Sequence, residues 1–303
     1  MHPAPSIILF TVLSGLGLGL IIWIGLGFGP DSTAHAWVGS FAALAISGLG
    51  GMLSALHLGK PSNAWRSFSQ WRSSWLSREA CLLVATLAVF GLYAVVWCIG
   101  GNRITLLGFL AAILAAGTVF STAMIYAQIR AVPRWSLTPT PTLFVAVAIA
   151  GGLLANQSIV ELTGGTAHVW LALVALATSA ACAVTWQIKS RDTRRGATGA
   201  SISSATGLGK IGKIKLFEAP HTGSNYLLDE MAYRVGRRRA DQLRKIGFGA
   251  GFALPILLTI LAMLTSGIWL LLALISHLVG MIALRWLFFA EAEHVQAFYY
   301  GQN

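Results

Sequence analysis

Eight apolar runs, each close to twenty residues long, constrain this chain more than any other feature. They fall near 6–28, 35–57, 80–100, 104–128, 142–162, 166–188, 247–267 and 269–290. About 20 residues of helix cross ~30 Å of hydrocarbon. A backbone in lipid must satisfy its own hydrogen bonds, so the runs are expected as helices and not strands. The predicted fold is all-α and integral to the membrane: one domain over 1–303, a bundle of eight transmembrane helices. Only 10% of the 303 residues are charged, against about 25% in a soluble domain. The first run has no basic segment ahead of it and is long enough to span, so it is read as a helix and not a cleaved signal. Short connections at Pro30, Gly100-Gly101, Gly164-Gly165 and Ser266-Gly267 suit tight helical hairpins. Pro255 predicts a kink in the seventh helix. Gly15, Gly17, Gly19, Gly25, Gly27 and Gly29 in the first helix serve close helix packing or, in the sharper alternative, make room for a flat ligand.

The formal charge of +11 is no sign of nucleic-acid binding, because the cations sit in loops beside apolar runs, where they set orientation and meet lipid headgroups. The connection after the second run holds Lys60, Arg66, Arg72 and Arg78. The one after the fourth holds Arg130 and Arg134, and the one after the sixth holds thirteen Lys and Arg between Lys189 and Lys245. The other connections hold Arg103 alone. The positive-inside rule then predicts both termini and the three basic connections in the cytoplasm, in a bacterial inner membrane. Within the long connection, 189–246, residues 226–245 read as a basic amphipathic helix with Leu228, Met231, Val235 and Leu243 on one face. It lies on lipid or docks on a partner subunit.

Polar residues concentrate in the 58–79 connection and at its two ends. His57 closes the second helix, and an ionisable group at a membrane boundary is a functional candidate that exchanges protons near neutral pH. Glu79 opens the third helix behind Ser77 and Arg78. One reading makes Ser77 an N-cap and Glu79 a first-turn partner of the helix dipole. The other pairs Glu79 with His57 at one depth, where an imidazole and a carboxylate bond the two carbonyls of a quinone and relay its protons. Arg78 then pairs with Glu79 or tunes it. Tyr126 and Arg130, at the same end of the fourth helix, are candidates to line that pocket. Lys60, Arg66, Trp71, Arg72 and Trp75 are candidate partner contacts, although Trp65, Trp71 and Trp75 also suit an interfacial aromatic belt. Haem is not expected. His35 and His168 fall at the opposite face, and His57 and His277 differ in depth by roughly 10–15 Å. Arg285, Glu291, Glu293 and His294 read as local ion pairs. Cys81, Cys98 and Cys182 show neither disulfide nor cluster spacing.

His57-Leu58-Gly59-Lys60-Pro61, Ala64-Trp65-Arg66 and Ser74-Trp75-Leu76-Ser77-Arg78-Glu79 resemble segments of the membrane-anchor subunits of DMSO reductases. So do Asn225-Tyr226 to Tyr233 and Arg285-Trp286-Leu287-Phe288-Phe289-Ala290-Glu291. With the eight-run plan, the resemblance covers essentially the whole chain. It implies a complex of three parts: a catalytic subunit with molybdenum bis-molybdopterin guanine dinucleotide, an iron–sulfur subunit, and an anchor without haem that exchanges electrons with ubiquinone or menaquinone. It also implies quinone binding at His57 and Glu79. The inward orientation departs from the DMSO reductase arrangement and favours the sulfite dehydrogenase branch, whose partner subunits face the cytoplasm. Electrons would then run from sulfite to quinone. The alternatives are an anchor that oxidises menaquinol for a terminal reductase, a purely structural anchor, and a transporter. The last is disfavoured by a membrane interior with little ionisable beyond His277 and by the lack of a repeat.

Overall fold

The structure is a computed structural model that describes residues 5–56, 61–193, 201–215, 217–218 and 239–295. Eight helices are long and apolar enough to cross a membrane, and the described residues contain no strand. They are α1 (Pro5–Gly25), α2 (Thr33–Leu56), α3 (Trp75–Gly100), α4 (Thr105–Ala127), α5 (Pro139–Leu162), α6 (Val169–Thr193), α7 (Ala240–Leu264) and α8 (Trp269–Ala290). The expected all-α membrane bundle is what forms. The connections after α2, α4 and α6 meet at one end of the bundle, called here the basic end. A 3₁₀ segment, Pro61–Phe68, lies in the first of them, and a short helix, Ile202–Thr206, in the third. At the opposite end the tight connections turn through glycines with positive φ, among them Gly101 (69°) and Gly164 (75°).

α1 is the central strut, with 72% of its apolar window buried against 28% for α3. It packs against α2, α4, α5 and α8. Its glycines serve close packing. A Cβ on Gly19 would overlap the backbone of Ala148 in α5, and one on Gly25 would overlap Gly108 in α4. Small residues let helix backbones approach where lipid offers no hydrophobic drive.

Two helices begin before their apolar runs. α3 starts at Trp75 rather than 80, and α7 at Ala240 rather than 247. Hydropathy marks the part of a helix in hydrocarbon, whereas backbone bonding continues into the interface. The expected kink in α7 takes the form of a π-helical stretch, Gly249–Ala253, just ahead of Pro255. Proline has no N–H for the carbonyl of residue 251, and a π turn relieves such a site. Side chains of α8 take up the freed carbonyls: Ser276 Oγ donates to Ala250 O at 2.8 Å, and His277 Nδ1 bonds Gly251 O at 2.7 Å.

Candidate functional site

Glu79 is on the fifth residue of α3 and 5% exposed. Its Oε1 accepts a hydrogen bond from the Thr122 hydroxyl of α4. Along the same seam Thr118 and Thr86 share a hydroxyl contact of 3.2 Å. This α3–α4 interface is therefore a polar seam that begins at the basic end and runs inward. The capping reading of Ser77 and Glu79 does not hold. The N-cap is Ser74, without a side-chain bond, and no acid lies in the first turn. Ser77 lies inside the helix and is 3% exposed. Arg78 does not pair with Glu79 among the described residues. Its guanidinium donates to the carbonyls of Trp71 (3.0 Å) and Arg72 (2.7 Å) and covers the Trp75 ring at 4.3 Å. It ties down the loop instead.

Tyr126 is buried in an aromatic cluster with Trp135, Phe144, Phe288 and Phe289, at ring separations of 5.4–5.8 Å. Its phenol lies within electrostatic reach of Glu79 and Arg285. Arg130 is exposed, whereas Glu79 is buried. Trp71 and Trp65 are also exposed, each covered by the neighbouring guanidinium of Arg72 or Arg66 at 5.5 and 5.6 Å. Trp75 packs edge-on against Phe120 at 5.9 Å. His57, Lys60 and the 226–238 part of the amphipathic segment lie outside the described residues.

Some functional-grade groups escaped sequence reasoning. Glu291 is 1% exposed and is clamped by Arg134 and, at 2.8 Å, by Arg244. These partners are 157 and 47 positions away in the chain, so the local pairing expected for Glu291 gives way to a link between α8, the α4–α5 loop and α7. Arg285 is 8% exposed and lies 3.5 Å over the Phe144 ring, with no carboxylate partner among the described residues. Thr122 carried no sequence signal at all, because a lone Thr in an apolar helix looks like any other.

Two cavities matter. One, of about 30 Å³, lies between α1, α4, α5 and α8 and is lined by Thr122, His277 and Arg285 among others. Ligand pockets run to roughly 300–1,000 Å³, so it holds no quinone ring. The other, of about 560 Å³, opens along α5 and α6. Its lining is apolar apart from Thr142, Thr178 and Cys182, with no acid or base to handle a proton. No group of three or more His, Cys, Asp or Glu side chains able to hold a metal occurs among the described residues.

The sequence profile of a family described as DMSO reductase anchor subunit (DmsC) matches residues 1–200. A sulfite dehydrogenase subunit of Allochromatium vinosum is 31% identical over 331 aligned positions, which cover 99% of this chain and 99% of that protein. A bundle of eight spans with a buried carboxylate at its basic end thus has a relative along its full length, and the chain belongs to the DMSO reductase anchor subunit (DmsC) family.

Proposed function

We propose that this chain is the quinone-reactive anchor of an oxidoreductase complex, with the basic end in the cytoplasm and the quinone headgroup held between Glu79 and His57. The observation that carries the reading is the buried Glu79 carboxyl. It is bonded by Thr122 alone among the described residues, and so keeps lone pairs for a ligand. The surroundings fit a flat ring. Trp75, one turn earlier on the same face of α3, and Phe120 of α4 offer aromatic surface beside the carboxyl. His57, which follows Leu56 at the end of α2 in the sequence, is the proposed second group. A Cβ on Gly51 of α2 would meet Leu83 of α3, and one turn toward the basic end from each are residue 55 and Glu79.

Bound quinone supplies a two-electron, two-proton acceptor. The protein's part is to orient the ring, exclude water and supply protons. Glu79 holds a proton at a carboxyl oxygen and the imidazole of His57 holds another. The Thr122 hydroxyl fixes the rotamer of Glu79. Molybdenum and iron–sulfur chemistry belongs to a catalytic subunit and an electron-transfer subunit docked on the exposed Trp65, Trp71, Arg66 and Arg72 face. The donor is sulfite, by likeness to the sulfite dehydrogenase subunit over the full length. A photoreactive quinone analogue, applied to the assembled complex, is expected to label peptides within 50–80 and 115–130. Labelling confined to other helices would remove the site.

A further inference from the structure

The 30 Å³ cavity has no part in holding a quinone, yet two polar side chains on its walls, His277 and Arg285, keep bonding groups open. Thr11 and Ser14 of α1, Thr122 of α4, Gly151 of α5, and His277 and Arg285 of α8 line it. His277 is 1% exposed. A carbonyl only accepts, so Nδ1 of His277 donates to Gly251 O, and Nε2 of the neutral ring carries the lone pair. That Nε2 finds no partner among the described residues. A Cβ on Gly151 would sit 3.3 Å from it, so the glycine keeps this nitrogen open to the cavity. Arg285 lies two turns along α8, roughly 12 Å further at ~1.5 Å per residue, and long helical side chains lean back toward the N-terminus, here toward His277. A guanidinium has five N–H donors, and Arg285 finds no hydrogen-bond acceptor among the described residues. Leaving such a group dry inside a membrane is costly. Water is the partner of the right size, since each needs about 10–15 Å³ of such space and about two fit.

We infer that this cavity is hydrated and that His277 is an internal proton reservoir for Glu79. The inference rests on the quinone reading of Glu79. His277 takes up a proton on Nε2 from cavity water while Glu79 is protonated, and returns it to that water once Glu79 has given up its own. Water and the Thr122 hydroxyl pass a proton on to the Glu79 carboxylate, and His277 returns to the neutral ring bonded to Gly251. Nothing but a proton moves.

The test combines a water-resolving map of the assembled complex in lipid nanodiscs with quinone turnover of three variants. Density for water within hydrogen-bond distance of His277 Nε2 and Arg285 is expected. His277→Asn retains a donor for Gly251 but cannot be charged. It is expected to lower kcat about 100-fold, the low end of proton-transfer contributions, with the quinone KM and the melting temperature unchanged. Gly151→Ala, which covers Nε2 and removes no ionisable group, is expected to lower kcat by a smaller factor. A dry cavity, or one filled by an acyl chain, overturns the inference. So does His277→Asn turning over within twofold of wild type while Glu79→Gln is impaired, an outcome that leaves the quinone site standing. Normal turnover by Glu79→Gln removes the quinone site and the reservoir with it.

Discussion

The two ends of the bundle treat buried polarity in opposite ways. At the end away from the basic loops, Arg103 is held by many partners. It donates to the carbonyls of Gly27 and Gly29 at 3.2 Å and to that of Pro30, pairs with Asp31 at 3.2 Å and covers the Trp97 ring at 4.1 Å. Trp97 Nε1 bonds the same Asp31 at 2.8 Å. This knot locks the α1–α2 turn to the start of α4 and leaves little for a ligand to bond. Between the basic end and mid-bundle, Glu79 keeps unused bonding capacity, and so do Arg285 and His277 on the walls of a cavity. Buried polar groups are normally satisfied, so those left open in a membrane interior mark function, and those fully used mark structure. Asn156 Oδ1 and Gln157 Nε2 are exceptions, and so is His35. Both its ring nitrogens lack partners among the described residues, yet it lines neither of the cavities described above and packs instead beneath Gly29 and beside Trp97.

Four substitutions test that contrast, from the largest effect down. Glu291→Ala leaves Arg134 and Arg244 facing each other without their shared carboxylate. Breaking a buried ion pair costs about 3–5 kcal/mol, so thermal unfolding in detergent should show a destabilised chain. A variant as stable as wild type would mean that the triad is hydrated. His57→Ala should assemble normally and lose about 100-fold in quinone turnover, equal to ~2.8 kcal/mol at about 1.4 kcal/mol per decade; a loss in assembly yield without a loss per assembled complex contradicts the assigned role. Arg103→Ala removes charge-assisted bonds worth roughly 2 kcal/mol. Stability should fall while turnover per assembled complex stays the same, and a turnover defect would erase the distinction between the ends. Thr122→Val strips the hydroxyl from Glu79 and should cost about 1 kcal/mol of stability and several-fold in turnover. Equal turnover would place Thr122 in packing alone.

Eight spans were legible because their physics is one-dimensional: apolar length against bilayer thickness. Glu79 was legible because an acid beside an apolar run is conspicuous. Its true setting was not, since the first turn of α3 is polar and hides the helix start at Trp75. The capping reading of Ser77 failed for that reason. Pairings across the fold were invisible for a different reason. Nothing in the residues around Glu291 points to Arg134 and Arg244, and nothing around Pro255 announces that His277 takes up the carbonyl it frees. Such contacts depend on which helices are neighbours, and with eight amphipathically weak spans the hydropathy pattern does not choose among them. Arg285 read as one half of a local ion pair, although its surroundings are an aromatic ring and a cavity.

The central claim is that the carboxyl of Glu79 moves protons for a quinone and does not merely hold α3 to α4. Glu79→Gln separates the two, because the amide oxygen can still accept the Thr122 hydrogen bond while the proton-carrying group is gone. The measurement is quinone turnover per assembled complex, with the melting temperature recorded on the same preparation. The account predicts about 100-fold slower turnover at an unchanged melting temperature. Wild-type turnover in a fully assembled Glu79→Gln complex would contradict it.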